Sequence, residues 1–205
     1  MMTQPDTFPD LDSLYPPPSE AIQRAVLPHL IAFHRTYLEA ATFFCLATGG
    51  ADGLDASPRG GAPGFVKVLD DRTVAFADWP GNNRIESLRN LRQESRVALL
   101  FLFPGQLTFL RINGQARAST DAALLERLQE GGKTPKLGIV VQVDQVLFHC
   151  GKAISRARLW DPASQELTQD LPGIGQMKTA LMGGDPSEAG AVEAQYRHAV
   201  THDLY

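Results

Sequence analysis

RVALLFLFPGQLTFLRINGQARA (residues 96–118) holds two long runs of apolar and β-branched residues, separated by Pro104 and Gly105. Apolar runs of this kind favour strands, and a Pro-Gly pair between two of them favours a tight turn. The stretch therefore predicts two strands that are neighbours in an antiparallel sheet, Arg96–Phe103 and Leu107–Ala118.

The same pattern recurs on both sides of this hairpin, where short apolar runs are bounded by turn-forming residues. Six or seven strands are predicted in all. The further runs are Thr42–Thr48, Phe65–Leu69, Thr73–Ala77, Leu137–Val143 and Val146–Cys150. Helical spacing predicts two helices between them, Asn82–Leu91 and Asp121–Gln129. Many strands with few and short crossovers favour a closed antiparallel β-barrel with flanking helices, an α+β fold that is mainly β.

The two ends of the chain differ from this central region. Residues 1–18 contain five prolines and predict an extended N-terminal arm. Ser19 is a candidate N-cap, and Pro28 interrupts the helical spacing that follows, so two successive helices are expected. We expect one domain over residues 19–165 and a C-terminal extension, residues 166–205, whose helix packs on the barrel.

The composition is that of a globular protein. Of the 205 residues, 43% are hydrophobic and 20% charged, and the net charge of -4 disfavours a nucleic-acid partner. No window approaches the roughly 18 unbroken apolar residues of a membrane span, and no leader sequence is evident, which predicts a cytoplasmic protein. Cys45 and Cys150 lie in apolar runs and are expected to be buried thiols.

The first candidate site segment is DWPGNNR (residues 78–84), between a predicted strand and a predicted helix. The first turn of a helix offers unpaired N–H groups and partial positive charge, and Arg84 adds a planar fork of donors. Asn82 or Asn83 would cap the helix while the other contacts a ligand. The segment predicts a phosphate site; the alternative is an ordinary capped helix with Arg84 in water.

The second candidate segment is DASPRGGAPGFVK (residues 55–67), which the glycines predict to be a loop that enters a strand. Its hydroxyl and cationic side chains suit a phosphate, and its apolar residues suit a flat ring. The alternative is a surface loop with solvated cations. The candidate ligand residues are Ser57, Arg59, Phe65, Val66 and Lys67.

The third candidate segment is FHCGKAISRARLW (residues 148–160), a strand end followed by a cationic helical stretch. Lys152 and Arg156 stand four residues apart and therefore share one helix face. They could reach across a dimer seam to a ligand of the neighbouring subunit, with Trp160 as a packing surface. A solvated amphipathic helix is the alternative.

Taken in order, these pieces resemble the pyridoxamine 5′-phosphate oxidase-like flavoproteins over roughly residues 20 to 165. The chain is most similar to a bacterial FMN-dependent subgroup that shares the Ser-Pro-Arg-Gly, Pro-Gly-Phe-Val and His-Cys-x-Lys-Ala pieces. The matching stretches are Phe44–Thr48, Ser57–Gly60, Gly64–Val66, Pro80–Arg84, Arg96–Phe101, Arg111–Ala116 and His149–Ala153.

The resemblance implies a split barrel and a homodimer with two FMN molecules at the subunit seam. Arg84 occupies the position of a phosphate-binding Lys of the family, and Lys67 aligns better than Arg59 with a second cation. The chain lacks the C-terminal pieces that the authentic oxidase uses for its substrate. The resemblance therefore predicts an FMN-dependent oxidoreductase for another small organic substrate, or alternatively a non-catalytic flavin-binding or sensing protein.

Two other kinds of chemistry compete with this prediction. His198 and His202 lie four apart in a predicted C-terminal helix, with Glu193 nearby, but no third ligand has useful spacing, so no metal is expected. His149 and Cys150 are neighbours in a strand and point to opposite faces, so they cannot act as base and nucleophile. The sequence identifies no catalytic residue.

Overall fold

A computed structural model describes residues 9–204; residues 1–8, which belong to the predicted arm, and residue 205 lie outside the description. Within this part of the chain, seven strands form one antiparallel sheet in the order β2-β1-β5-β6-β7-β4-β3. The strands are β1 (Phe43–Gly50), β2 (Gly53–Gly60), β3 (Lys67–Val68), β4 (Thr73–Asp78), β5 (Arg96–Leu102), β6 (Thr108–Ser119) and β7 (Leu137–Cys150).

Helices flank the sheet at both ends of the chain and in its crossovers. The α-helices are α1 (Leu11–Leu14), α2 (Glu20–Arg24), α3 (Ala32–Ala40), α4 (Glu86–Leu91), α5 (Ala122–Arg127), α6 (Lys152–Ala157), α7 (Ile174–Leu181) and α8 (Ala189–His202). Two 3-10 turns, Pro162–Thr168 and Pro186–Glu188, join the last three helices. No helix within residues 9–204 is long and apolar enough to cross a bilayer.

The sheet curls into a barrel that is split between its two edges, as predicted. Phe44 of β1 and Phe76 of β4 lie four strands apart in the sheet, which would separate them by about 19 Å if the sheet were flat. Their ring centroids are instead 4.9 Å apart, and both side chains are fully buried. The strands therefore enclose one apolar core, and the split lies between β2 and β3, the two edge strands.

The hairpin predicted around Pro104 and Gly105 is confirmed, with β5 and β6 paired from Arg96↔Gln115 to Leu102↔Phe109. The two strands predicted over residues 137–143 and 146–150 are one continuous strand, β7. An irregularity in its pairing with β6 absorbs the extra residue, because Asn113 pairs with Gln145 while the next residue of β6 pairs with Val143.

Residues 55–60 are not the loop that the glycines predict, because they belong to β2. This strand pairs with β1 along its whole length, from Gly50↔Gly53 to Phe43↔Gly60. Its residues have low strand propensity, but an edge strand with a long antiparallel partner overrides that preference. Pro58 is compatible with this position because an edge strand can leave one donor unpaired.

The helix predicted from Asn82 begins four residues later, at Glu86. Asn83 has a φ of 59°, in the left-handed region that a right-handed helix excludes, and the Asn82 side chain accepts a hydrogen bond from the backbone N–H of Arg84. These residues form a turn before α4, whose N-cap is Ile85, so the prediction that Asn82 or Asn83 caps the helix is wrong.

The N-terminal region is partly helical. In the predicted extended arm, Asp10 accepts a hydrogen bond from the backbone N–H of Asp12, and this cap starts the single turn of α1. Ser19 caps α2, as predicted. The helical stretch breaks around Pro28 and resumes at α3, also as predicted.

Helices α7 and α8 of the C-terminal extension pack against each other. The Glu193 carboxylate accepts a hydrogen bond of 2.7 Å from the backbone N–H of Gly175, and Arg197 donates to the same carboxylate. The lack of a side chain at Gly175 lets α8 approach this closely, since a Cβ there would overlap the Ala189 carbonyl oxygen. Packing of this extension on the barrel stays a prediction.

The outer surface of the sheet is divided into a covered and an open part. Leu124 and Leu128 pack over Ala75, Ala77 and Val140, so that the α5 region covers β4 and β7. On β2 and β1 most outward side chains are exposed, and that of Leu54 is 94% accessible. We call the outward side of β2, β1, β5, β6 and the end of β7 the open face.

Candidate functional site

A cavity of about 560 Å³ lies at the split of the barrel. Its walls come from the end of β2, the end of β4 with the turn that follows, and the start of β7. A volume of this size is within the range of small-molecule sites, about 300–1,000 Å³. The two edges of the sheet thus leave a ligand-sized space where they fail to meet.

An ion pair joins the β2 and β4 sides of this cavity. Arg59 projects from β2, and its guanidinium lies 2.6 Å from the carboxylate of Asp78 at the end of β4. The two side chains are only 17% and 21% exposed, so the pair is shielded from most of the solvent. The Arg59 Nε is buried and has no hydrogen-bond partner.

The turn after β4 brings a second cation to the cavity. Arg84 donates a hydrogen bond of 2.9 Å to Glu86, and its side chain is 73% exposed. The hydrogen bond from Arg84, more than any other cause, lowers the pKa of the Glu86 carboxyl. Because this ion pair is in water, it binds Arg84 weakly and leaves the guanidinium able to turn towards an anion.

Helix α4 is held over the cavity by two polar contacts to the sheet. The hydroxyl of Ser87 donates 2.6 Å to Asp55 of β2, and the side-chain amide of Asn90 donates 3.0 Å to Thr48 of β1. Ser87 and Thr48 are both buried. These contacts fix the helix against the inner side of β1 and β2, and thereby fix the end of the turn that carries Arg84.

Six of the ten predicted ligand residues line this cavity: Ser57, Arg59, Phe65, Asn82, Asn83 and Arg84. The other four do not. Val66 is buried in the barrel core, and Lys67 pairs with Ala75 in β3. Lys152 and Arg156 lie exposed on α6, away from the cavity walls. Within one subunit the structure therefore brings together the segments around residues 57–59 and 82–84. The third candidate segment, residues 148–160, does not contribute to the cavity.

Sequence reasoning missed several residues of the cavity. Asp78 stands inside a quoted segment, but its pairing with Arg59 joins residues 19 positions apart, which no local pattern reveals. Lys136, Ile85 and Leu88 also line the cavity. One sequence signal could have suggested the ion pair: an acidic residue, Asp78, at the end of one strand and a basic residue, Arg59, on another strand near the sheet edge.

The remaining sequence predictions concern cysteine and histidine. Cys150 is exposed and Cys45 partly exposed, so the prediction of buried thiols is wrong. Cys45 lies on the outward side of β1, and Cys150 is the last residue of β7. The rings of His198 and His202 stack with centroids 4.5 Å apart. Among the described residues, no three His, Cys, Asp or Glu side chains gather as a metal site would require.

The fold agrees with the family comparison. The family model described as pyridoxamine 5′-phosphate oxidase matches residues 30–150. The chain belongs to this family, and the match spans the sheet from before β1 to the end of β7. No curated protein matches the sequence.

Solved structures resemble part of the chain at low sequence identity. HupZ of Group A Streptococcus is 20% identical, with a TM-score of 0.46, over 57% of this chain and 92% of its own. An F420 reductase is 18% identical, with a TM-score of 0.41, over 58% and 98%. An FMN-binding protein from Syntrophomonas wolfei is 16% identical, with a TM-score of 0.41, over 56% and 86%.

Proposed function

We propose that the protein is an FMN-dependent oxidoreductase that acts on a small organic substrate and works as a homodimer. The observation that supports this proposal most is the cavity at the barrel split, where Ser57, Arg59 and the 82–84 turn meet in a member of this family. When bound, FMN would supply the electron chemistry, and the protein would supply position and hydrogen bonds.

The residues of the cavity fit a phosphorylated flavin. Arg84 is solvent-accessible and weakly paired, so it can bind a phosphate through its planar fork. Arg59 adds a second positive charge to the cavity wall, and the Asp78 carboxylate holds its guanidinium in place. Ser57 and the two asparagines add neutral donors, and Phe65 adds apolar surface. Lys67 has no role in this proposal, because it lies outside the cavity.

The homodimer would form through the open face. Phe43, Ala47, Leu54 and Ala56 expose apolar surface there, which costs free energy in water and favours burial against a second copy. Lys152 and Arg156 of one copy are proposed to reach the flavin of the other. This part of the proposal rests on their exposure on α6 and on their shared helix face.

The test is to purify the full chain, record its absorption spectrum and identify any released ligand by mass after denaturation. A two-band flavin spectrum and the mass of FMN are expected. Arg84→Gln should weaken FMN binding about tenfold or more, because a charge-assisted contact to the phosphate is lost. Arg96→Gln is the matched control, since Arg96 also pairs with a Glu two residues away but lies outside the cavity.

Colourless protein that FMN cannot reconstitute would overturn the proposal. Turnover is tested separately by mixing the flavin-loaded protein with reduced nicotinamide or deazaflavin donors and following bleaching of the flavin. Reduction by one of them supports an oxidoreductase. Bound flavin that neither donor reduces would favour the alternative, a non-catalytic flavin-binding or sensing protein.

A further inference from the structure

A third cation, Lys136, lines the cavity on the side of β4 and β7. It directly precedes Leu137, the first residue of β7, which pairs with Asp78 at the end of β4. The Lys136 side chain is exposed and makes no ion pair with any residue of the described part of the chain, 9–204. The acid that the sheet register brings beside it, Asp78, is already paired with Arg59. Lys136 therefore adds to the cavity wall a positive charge that these residues leave unpaired.

Lys136 and Arg84 belong to different sides of this cavity. Arg84 is paired with Glu86 of α4, and α4 is held over β1 and β2 by the hydrogen bonds of Ser87 and Asn90. Lys136 instead begins β7, which pairs with β4. A phosphate bound at Arg84 would therefore leave the ammonium of Lys136 for a second anionic group. A lysine suits such a role, because its ammonium is a compact charge on a long and flexible stem.

An aromatic residue, Trp79, lies opposite Lys136 in the same wall. The two residues follow and precede the last paired residues of β4 and β7, Asp78 and Leu137, so they are neighbours across the strand ends. Trp79 is half-buried, and its Nε1 donates a hydrogen bond of 2.8 Å to the Glu130 carboxylate. Its side chain also packs against the apolar cluster that α5 forms with β4 and β7. The indole is thus fixed at the cavity, where it offers a stacking surface to a planar group.

We propose that Trp79 and Lys136 form the substrate subsite of the cavity, and that the substrate is a planar organic anion. Its ring stacks on Trp79, and its carboxylate or phosphate group accepts a hydrogen bond from the Lys136 ammonium. The subsite rests on the proposed function, because the segments around residues 57–59 and 82–84 are assigned there to FMN. The flat ring and the negative charge together define the substrate class.

The test is isothermal titration calorimetry of the FMN-loaded full chain with four small probes. Benzoate and phenyl phosphate combine a flat ring with a negative charge and distinguish a carboxylate from a phosphate. Benzamide keeps the ring without the charge, and cyclohexanecarboxylate keeps the charge without the flat ring. At least one of the two aromatic anions is expected to bind about tenfold more tightly than benzamide and cyclohexanecarboxylate, because only an aromatic anion makes both contacts.

Two variants separate the contribution of the charge from that of the ring. In Lys136→Gln the affinity for the aromatic anion should fall about tenfold, to that of benzamide, while the affinity for FMN changes by less than about twofold. In Trp79→Leu the aromatic anion should bind only as tightly as cyclohexanecarboxylate. Lys67→Gln is the matched control, because it makes the same change of charge two residues from Phe65 but outside the cavity. It should leave the affinities for the probes and for FMN unchanged.

Should Trp79→Leu fail to fold, nuclear magnetic resonance replaces it. The chain has two tryptophans, so Trp160→Phe leaves the indole N–H signal of Trp79 alone in the spectrum. A saturable shift of that signal on addition of the aromatic anion supports the stacking contact. A signal that does not move overturns it.

The subsite is overturned if the four probes bind equally or not at all, or if Lys136→Gln keeps the preference for the aromatic anion. A loss of FMN affinity in Lys136→Gln as large as in Arg84→Gln would make Lys136 a ligand of the flavin phosphate. That result overturns the subsite and supports the proposed function. A chain that binds no FMN refutes the proposed function, and the probes are then titrated into the flavin-free chain. There, a preference for the aromatic anion that Lys136→Gln abolishes supports the subsite, and its absence overturns it.

Discussion

Arg59 on β2 donates a hydrogen bond of 2.6 Å to Asp78 at the end of β4, and this contact joins the two sides of the barrel split. In the sheet order β2 is one edge strand and β4 lies next to the other edge strand, so no backbone ladder joins β2 to β4 directly. The ion pair therefore has a structural role that is independent of any ligand.

Removing Asp78 is expected to destabilise the fold. In Asp78→Ala the Arg59 guanidinium keeps its shielded position but loses its acceptor, which should lower the free energy of unfolding by about 1.5–3 kcal/mol. Urea unfolding followed by circular dichroism measures this change. Glu86→Ala is the control, because its ion pair with Arg84 is exposed to solvent and should contribute little to the free energy of unfolding. Equal effects in the two variants would contradict the prediction.

Stability is expected to fall as the pH drops below 6.5 because of His34. This side chain is buried, its Nδ1 accepts from the backbone N–H of Ile31, and burial, with a smaller contribution from His29, lowers its pKa below 6.5. On acidification, His34 is protonated in the unfolded chain at a higher pH than in the folded chain. The contribution of the neutral, buried His34 to the free energy of unfolding is therefore complete above pH 6.5 and is lost at lower pH. Urea unfolding between pH 5.5 and 7.5 should show this slope in the wild type and in His29→Gln. A slope that persists unchanged in His34→Gln would refute the assignment.

Gly114 is expected to be intolerant of a side chain. It lies at the irregular pairing between β6 and β7, and a Cβ there would overlap the carbonyl oxygen of Gln142. Gly114→Ala should cost about 1–3 kcal/mol or more, because backbone cannot yield as a flexible side chain can. Gly190→Ala in α8 is the comparison, since its Cβ would meet open space and should stabilise the helix by about 0.5–1 kcal/mol. Thermal unfolding measures the difference: the melting temperature should fall in Gly114→Ala and rise in Gly190→Ala.

Self-association through the open face is expected to depend on Leu54. Leu54→Asp introduces a charge where the proposed dimer is apolar, so the dimer dissociation constant should rise about tenfold or more. Leu181→Asp is the control, because Leu181 is 86% exposed on α7 and lies outside the open face. Sedimentation velocity over a range of concentrations measures the dimer dissociation constant of each variant. An unchanged dimer in Leu54→Asp would place the interface elsewhere.

The strands that sequence patterns predicted are those whose own residues favour extended structure. The runs that became β1, β4, β5 and β6 are apolar or β-branched and are closed by turn residues, so local chemistry and tertiary pairing agree. In β2, glycines, Pro58 and polar residues indicate a loop, and pairing with β1 decides the outcome. In β7, Asp144 suggests a break that the irregular register removes.

The candidate site was predictable only where its residues are close in sequence. The 82–84 turn and the Ser57–Arg59 stretch were both identified, although each in the wrong local structure, because polar residues after a strand indicate a ligand in either case. The sequence does not reveal the direction in which a side chain points. Phe65, Val66 and Lys67 are consecutive, yet of these three only Phe65 lines the cavity. The ion pair of Arg59 needs the barrel to close, which only the tertiary structure reveals.

The position of Pro58 has a consequence for the protein at high concentration. A split barrel, unlike a closed one, presents two sheet edges to which strands of other molecules could add, which is a route to aggregation. On β2 the proline removes one donor from the free edge, and on the other side β3 is only two residues long. Neither edge is a continuous template for cross-β polymerisation, so the opening in the barrel can serve as a ligand site without making the chain prone to fibres.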